Sequence, residues 1–254
     1  MNRILISALL VALLMASCAA APAVVENENQ IDSAAVAEES SSDPAVGPEG
    51  EYHAENLADL MDTELSDAEL AGISYMREEE KLARDVYLQL ADAWGLQIFS
   101  NIARSEETHM DAVLSLIELA GVEDPAQGLA AGEFHNPDLQ ELYDDLASSG
   151  KESLEAALLV GAAIEEIDIL DLQEYLQETD NAAVKEVYQN LLNGSINHLQ
   201  SFVSNYERQS GEDYQPQFLS EDAFQELLAN AAVRGGGGGG RGMGDQPRGG
   251  GQPR

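Results

Sequence analysis

The sequence predicts an all-α protein built around a bundle of four long helices. Three observations carry this. Between about residues 65 and 233, apolar residues recur at the three- and four-residue intervals of a helix face. The periodic segments are bounded by helix caps and by glycine stops. No strand is needed to account for any of the pattern.

The first long helix lies in "LSDAELAGISYMREEEKLARDVYLQLADAWG". Ser66 is its N-cap, Glu69 completes a capping box, and Gly95 closes it. The second runs from about 98 to 120 and stops at Gly121, with Pro125 beyond. A loop containing "AGEFHNPD" leads to a shorter helix over about 137 to 149, which ends at Gly150. The third long helix spans about 151 to 178 and the fourth about 181 to 209. A short C-terminal helix, about 220 to 231, follows "YQPQFLS". The helix 2–3 connection is long and carries its own short helix. Ferritin-like bundles use one such crossover.

The flanks read differently. Residues 1–18 form a targeting segment, with Arg3 before the apolar run "ILISALLVALLMA". "MASCAA" resembles a bacterial lipobox, which implies cleavage before Cys18 and lipid attachment to its sulfur. The alternative is an ordinary signal peptide cut near Ala20 or Ala21. Either way the mature protein is expected in the bacterial cell envelope, facing the periplasm or the cell surface. Cys18 is the single cysteine, so no disulfide can form within the chain. Residues 19–64 lack lysine and arginine and carry few large apolar groups, which predicts a disordered acidic tether. Residues 234–254 form a Gly/Arg-rich disordered tail. His53, in the tether, needs no role. The formal net charge of −35 argues against nucleic acid, whose phosphates need a basic partner.

The helix seams hold the functional signal. They read Ile73, Met76, Glu80, Ala83, Tyr87, Leu90, Trp94; then Phe99, Ile102, Glu106, His109, Val113, Leu116; then Leu158, Gly161, Glu165, Asp168, Leu172, Tyr175; then Tyr188, Leu191, Ser195, His198, Phe202. Each seam turns polar only near its middle. An isolated ionised carboxylate in a core is costly, and several together repel. A divalent cation removes both penalties. Glu106 and His109 stand at i, i+3 and share one helix face. Carboxylates with imidazole suit iron, and also manganese or zinc.

Register leaves alternatives open. Glu79 competes with Glu80, and Glu166 with Glu165. Asp168 reads as a ligand, as a partner orienting a ligand, or as an exposed residue. Tyr87 reads as a hydrogen-bond donor to a ligand carboxylate or as core filler. Glu78 and Glu107 read as solvated, His135 as structural or exposed, and Trp94 as core. Hydrolase elbows, His-Glu-x-x-His, paired cysteines and phosphate-binding glycine loops are missing from the sequence.

The words "MREEEKLARDVY", "IARSEETHMDAV", "GAAIEEIDILDL" and "GSINHLQSFV" resemble the bacterial family catalogued as domain of unknown function 2202, and the stretch 65–230 resembles the ferritin-like superfamily. The resemblance implies a rubrerythrin-like di-metal site. Glu80 matches the first-helix ligand, Glu106 and His109 the second-helix pair, Glu165 the third-helix ligand and His198 the fourth-helix histidine. Asp168 resembles an extra rubrerythrin carboxylate. Ser195 departs from the pattern, since a glutamate is expected there. Either Asp168 substitutes, or the site is asymmetric, or one metal alone binds tightly. The function implied is a di-iron centre, two ions per chain, that oxidises ferrous iron or reduces oxygen or peroxide. With no cysteines for an iron domain, its electron donor is external. A homodimer is compatible with the fold. The alternatives are metal binding without turnover, and a metal-free polar network.

Overall fold

The computed structural model describes residues 54–61 and 63–235. Among them the only regular elements are helices. They are α1 (Ala54–Leu60), α2 (Asp67–Trp94), α3 (Gln97–Ala120), α4 (Pro137–Ser149), α5 (Leu154–Glu178), α6 (Ala182–Ser210) and α7 (Glu221–Gly235). The four long helices and the short crossover helix stand where periodicity places them.

Local chemistry sets the boundaries. Ser66 and Glu69 form the reciprocal capping box that starts α2. Gly95 ends it at φ 66°, a left-handed conformation that favours glycine. Asn136 caps α4, whose first residue is Pro137. The third long helix begins at Leu154, later than the expected 151. Lys151 and Glu152 still belong to the preceding turn, bonded to the Ser148 and Ser149 carbonyls, and Ser153 takes the N-cap.

The long helices pair as two hairpins. α2 lies along α3 and α5 along α6, and the pairs face each other through α3–α6 and α2–α5 contacts. Links of two or three residues make each hairpin antiparallel. α4 packs against α2 and α5, and α7 against α6.

The folded unit begins earlier than composition suggests. α1 falls within the expected tether, yet Leu57 is buried with Ile73, Ile117 and Val184. At the other end, α7 continues to Gly235, into the expected tail. Trp94 is half-buried rather than core, with its indole N–H donating to the Gly150 carbonyl at 2.8 Å. Cys18, His53, the targeting segment and most of the tether and tail lie outside the described residues.

Two apolar clusters fill the interior. One holds Tyr87, Leu90, Phe99, Ile102, Leu158 and Phe202. The other holds Ile73, Met76, Val113, Leu116, Leu172 and Leu191. On every long helix the chain passes from one cluster to the other through the polar middle of its seam. The bundle is therefore an apolar–polar–apolar stack, with its titratable groups in the central layer.

Candidate metal centre

Each long helix contributes to that layer through the turn where its seam changes from apolar to polar. α2 supplies Glu80, α3 supplies Glu106 and His109, α5 supplies Glu165 and Asp168, and α6 supplies Ser195 and His198; all are buried. His109 Nδ1 lies 2.8 Å from Glu106 Oε2 and 3.3 Å from Glu80 Oε2. His198 Nδ1 lies 2.9 Å from Glu106 Oε1 and 3.6 Å from Glu165 Oε2. The two imidazoles stack at 5.5 Å between centroids.

Glu106 thus sits between two sets of donors. Glu80, Glu106 and His109 bring three ligand atoms within 4.8 Å of one another, and so do Glu106, Glu165 and His198. These buried groups can hold a metal ion. The donor set also passes a test of fit. Glu80 Oε1 and Asp168 Oδ1 are buried without a hydrogen bond, and a cation accepts such lone pairs.

Electrostatics separates the three glutamates. Burial, reinforced by the charge of Glu106, pushes Glu80 up to about 7 against the pull of His109. Burial and Glu106 likewise push Glu165 up to about 7, against His198 and Tyr87. Burial acts on Glu106 in the same sense, but His198 and His109 outweigh it and hold Glu106 down at about 2. Burial disfavours charge on His198, yet Glu106 and Glu165 keep its imidazole protonated well above the usual histidine range.

The neighbouring groups are specific. Tyr87 donates to Glu165 Oε1 at 2.6 Å while its ring fills the apolar cluster, so both of its readings describe it. The Ser195 hydroxyl contacts Asp168 Oδ2 and, at 2.8 Å, the Leu191 carbonyl, and its single proton is given to one of the two at a time. Asp168 is buried but belongs to neither cluster. Burial first, and then the charge of Glu80, raise it well above the usual aspartate range.

The two clusters include Glu80 and Glu165 rather than Glu79 and Glu166, and these alternatives are not solvated. Glu79 is buried outside both clusters. Glu78, expected in solvent, is buried and accepts the backbone N–H groups of His135 and Asn136 at 2.5 and 3.2 Å. Glu166 accepts from the N–H groups of Gln217, Phe218 and Leu219 and from the Tyr214 hydroxyl. Both are crossover or strap anchors that seam analysis does not anticipate. Glu107 is exposed as expected, and so is His135. The sequence reading also misses Ser105. Its hydroxyl lies 2.9 Å from His198 Nε2, on the ring edge opposite the carboxylates. A partner there fixes which nitrogen faces the centre. Ser105 flanks the seam, so periodicity gives it no signal.

Residues 69–231 match the family described as "Uncharacterized protein domain (DUF2202)". The chain is 46% identical over 184 residues to "Uncharacterized protein MJ0754" of Methanocaldococcus jannaschii, a match covering 71% of this chain and 97% of that protein. It is also similar to the crystal structure of hypothetical protein MJ0754 from Methanococcus jannaschii DSM 2661. That likeness has a TM-score of 0.64 and 46% identity, covering 66% of this chain and 95% of that one. The relative is archaeal, so the likeness is not confined to bacteria as the resemblance suggests. By its family match and by this identity over nearly the whole of the relative, the chain belongs to the DUF2202 family.

Proposed function

We propose that the polar layer is a two-ion carboxylate–histidine centre and that the protein is a ferritin-like oxidoreductase using iron. One observation carries the reading: Glu106 is common to two clusters of ligand atoms, each completed by a glutamate and a histidine from different helices. One carboxylate shared by two triads is the arrangement that brings two cations together. Glu80 and His109 would hold one ion, Glu165 and His198 the other, and Glu106 both. An iron pair supplies one-electron steps toward oxygen or peroxide.

The chain's own part is to bind, orient and balance charge. Tyr87 orients Glu165 and Ser105 orients His198. The two apolar clusters exclude bulk water above and below the layer. His198 and the raised carboxyls of Glu80 and Glu165 carry the protons that metal entry displaces. Electrons come from an external donor, since Cys18 alone cannot build a cysteine-bound iron site. The apolar run before Cys18 supports a lipid-anchored place in the cell envelope. Manganese or zinc also suits these ligands.

A second reading has its own support. Glu106 pairs with the two histidines at 2.8 and 2.9 Å. A purely structural network would use the same contacts. Elemental analysis of the purified full chain, beside a Glu106→Ala, His109→Ala variant, separates the two. About two irons per chain, lost in the variant, are expected. Ferrous iron should then give an oxygen-dependent absorbance change. Bound metal without that change makes the centre non-catalytic. No metal, even after reconstitution, makes the layer structural.

A further inference from the structure

We propose that Asp168 is the fourth carboxylate of this centre and that Ser195 is the residue that positions it. On this view a carboxylate reaching from α5 serves the place on α6 where Ser195 stands. The inference rests on the two-ion reading above.

Charge is the first argument. Two divalent cations bring four positive charges. Glu80, Glu106 and Glu165 bring three negative ones, and imidazole ligands bind as neutral groups. One positive charge is left in a layer closed above and below by apolar clusters. A buried net charge is unfavourable unless another group neutralises it. One more carboxylate within reach makes the layer neutral.

Geometry is the second. Asp168 stands one turn beyond Glu165 on the same helix, and the charges of Glu80, Glu165 and Glu106 all act on it. It is the seam carboxylate left over once the two clusters are assigned. One of its oxygens, Oδ2, is held by Ser195; the other, Oδ1, is buried and has no hydrogen bond. Three other buried carboxylates are committed elsewhere. Glu78 and Glu166 accept backbone N–H groups, and Asp85 accepts from Lys81 and Arg84.

Ser195 is the third. It stands three residues before His198 on α6, so both face the layer. A serine is a weak metal ligand, but its hydroxyl can fix one carboxylate oxygen and leave the other available. That is the contact present here.

The test counts ions in the full chain loaded with ferrous iron alone under anaerobic conditions, with excess iron removed. Circular dichroism monitors the fold. The wild type should hold about two ions per chain. Asp168→Asn keeps the shape and the serine contact but removes the charge, and should fall to about one. Ser195→Ala should keep both ions with roughly 10-fold weaker binding. In the double variant Asp168→Ala, Ser195→Glu, the carboxylate is moved to α6, and the second ion should return. A merely structural role for Asp168 predicts no such return. Asp168→Asn holding both ions at wild-type affinity overturns the inference while leaving the two-ion centre standing. So does a correctly folded double variant that stays at one ion. If the double variant does not fold, Asp168→Asn decides alone. A wild type that binds no iron overturns both.

Discussion

Glu106 shows how much one side chain sets. Its charge raises Glu80 and Glu165 and supports the proton on His198. The pH dependence of the metal-free protein follows. Glu80 and Glu165 rise from an ordinary 4.5 to about 7, so the folded state holds more protons than the unfolded one between those values. Stability contributed by these groups is therefore present below about 4.5 and is lost as pH rises through about 7. Glu106 has the opposite sign: its contribution is present above about 4.5 and is lost as pH falls toward 2. The melting temperature without metal should decline between about pH 5 and 7.5, and Glu80→Gln should flatten that decline. Iron affinity should rise over the same window, because binding displaces the protons. Titration calorimetry at two pH values reads this directly. Tyr87→Phe gives a second test. It removes a buried 2.6 Å bond to a carboxylate, worth about 2 kcal/mol in chemical unfolding. It should also move iron binding to higher pH, because that bond favours ionised Glu165. At this scale the seam residues were legible: Glu80, Glu106, His109, Glu165 and His198 all face one layer. Glu78, Glu166 and Ser105 were not, because their partners are backbone groups or side chains distant in sequence. Helical periodicity shows which face a residue occupies, not what the facing loop offers it.

The same distinction governs the elements. Capping chemistry is local, so Ser66, Gly95 and Pro137 announce their helix ends in the sequence. The crossover is held by non-local pairs. Arg77 donates to Asp124 at 3.0 and 3.1 Å and to the Met110 carbonyl at 2.7 Å. Lys81 donates to Asp85 and to the Ala130 and Glu133 carbonyls. These pairs let Arg77, Lys81 and Asp85 lie buried in the charged run "MREEEKLARD". The strap before α7 is held by one carboxylate. Glu166→Ala leaves the N–H groups of Gln217, Phe218 and Leu219 without their acceptor. About 2–4 kcal/mol of stability should be lost. Amide exchange at those residues should speed up more than exchange in α2 and α3. Gly161 sets the closeness of α5 and α6. A Cβ there would stand 2.4 Å from the Phe202 ring. Gly161→Val should therefore push the two helices apart and lower the melting temperature by roughly 5–10 °C, for a loss of about 2–3 kcal/mol.

For the whole molecule the question is whether its acidity or its centre governs the response to cations. A formal charge of −35 repels itself, and any salt relieves that by screening. A metal bound in the central layer stabilises differently, by binding only the folded state. The four-helix architecture was legible because two apolar stretches flank one polar turn on every long helix. The stack they form emerges only when antiparallel pairing aligns those turns at one height. That alignment separates the two cation effects experimentally. Sodium chloride should raise the melting temperature of the wild type and of the Glu106→Ala, His109→Ala variant alike. Ferrous iron at about 100 times its dissociation constant should add roughly 5–10 °C per site in the wild type alone. That gain should persist in ~0.5 M salt, where exposed charges are screened and a buried pair of ions is not. An iron effect that fades with salt, or that the variant shares, would assign the response to surface acidity and leave the central layer a structural network.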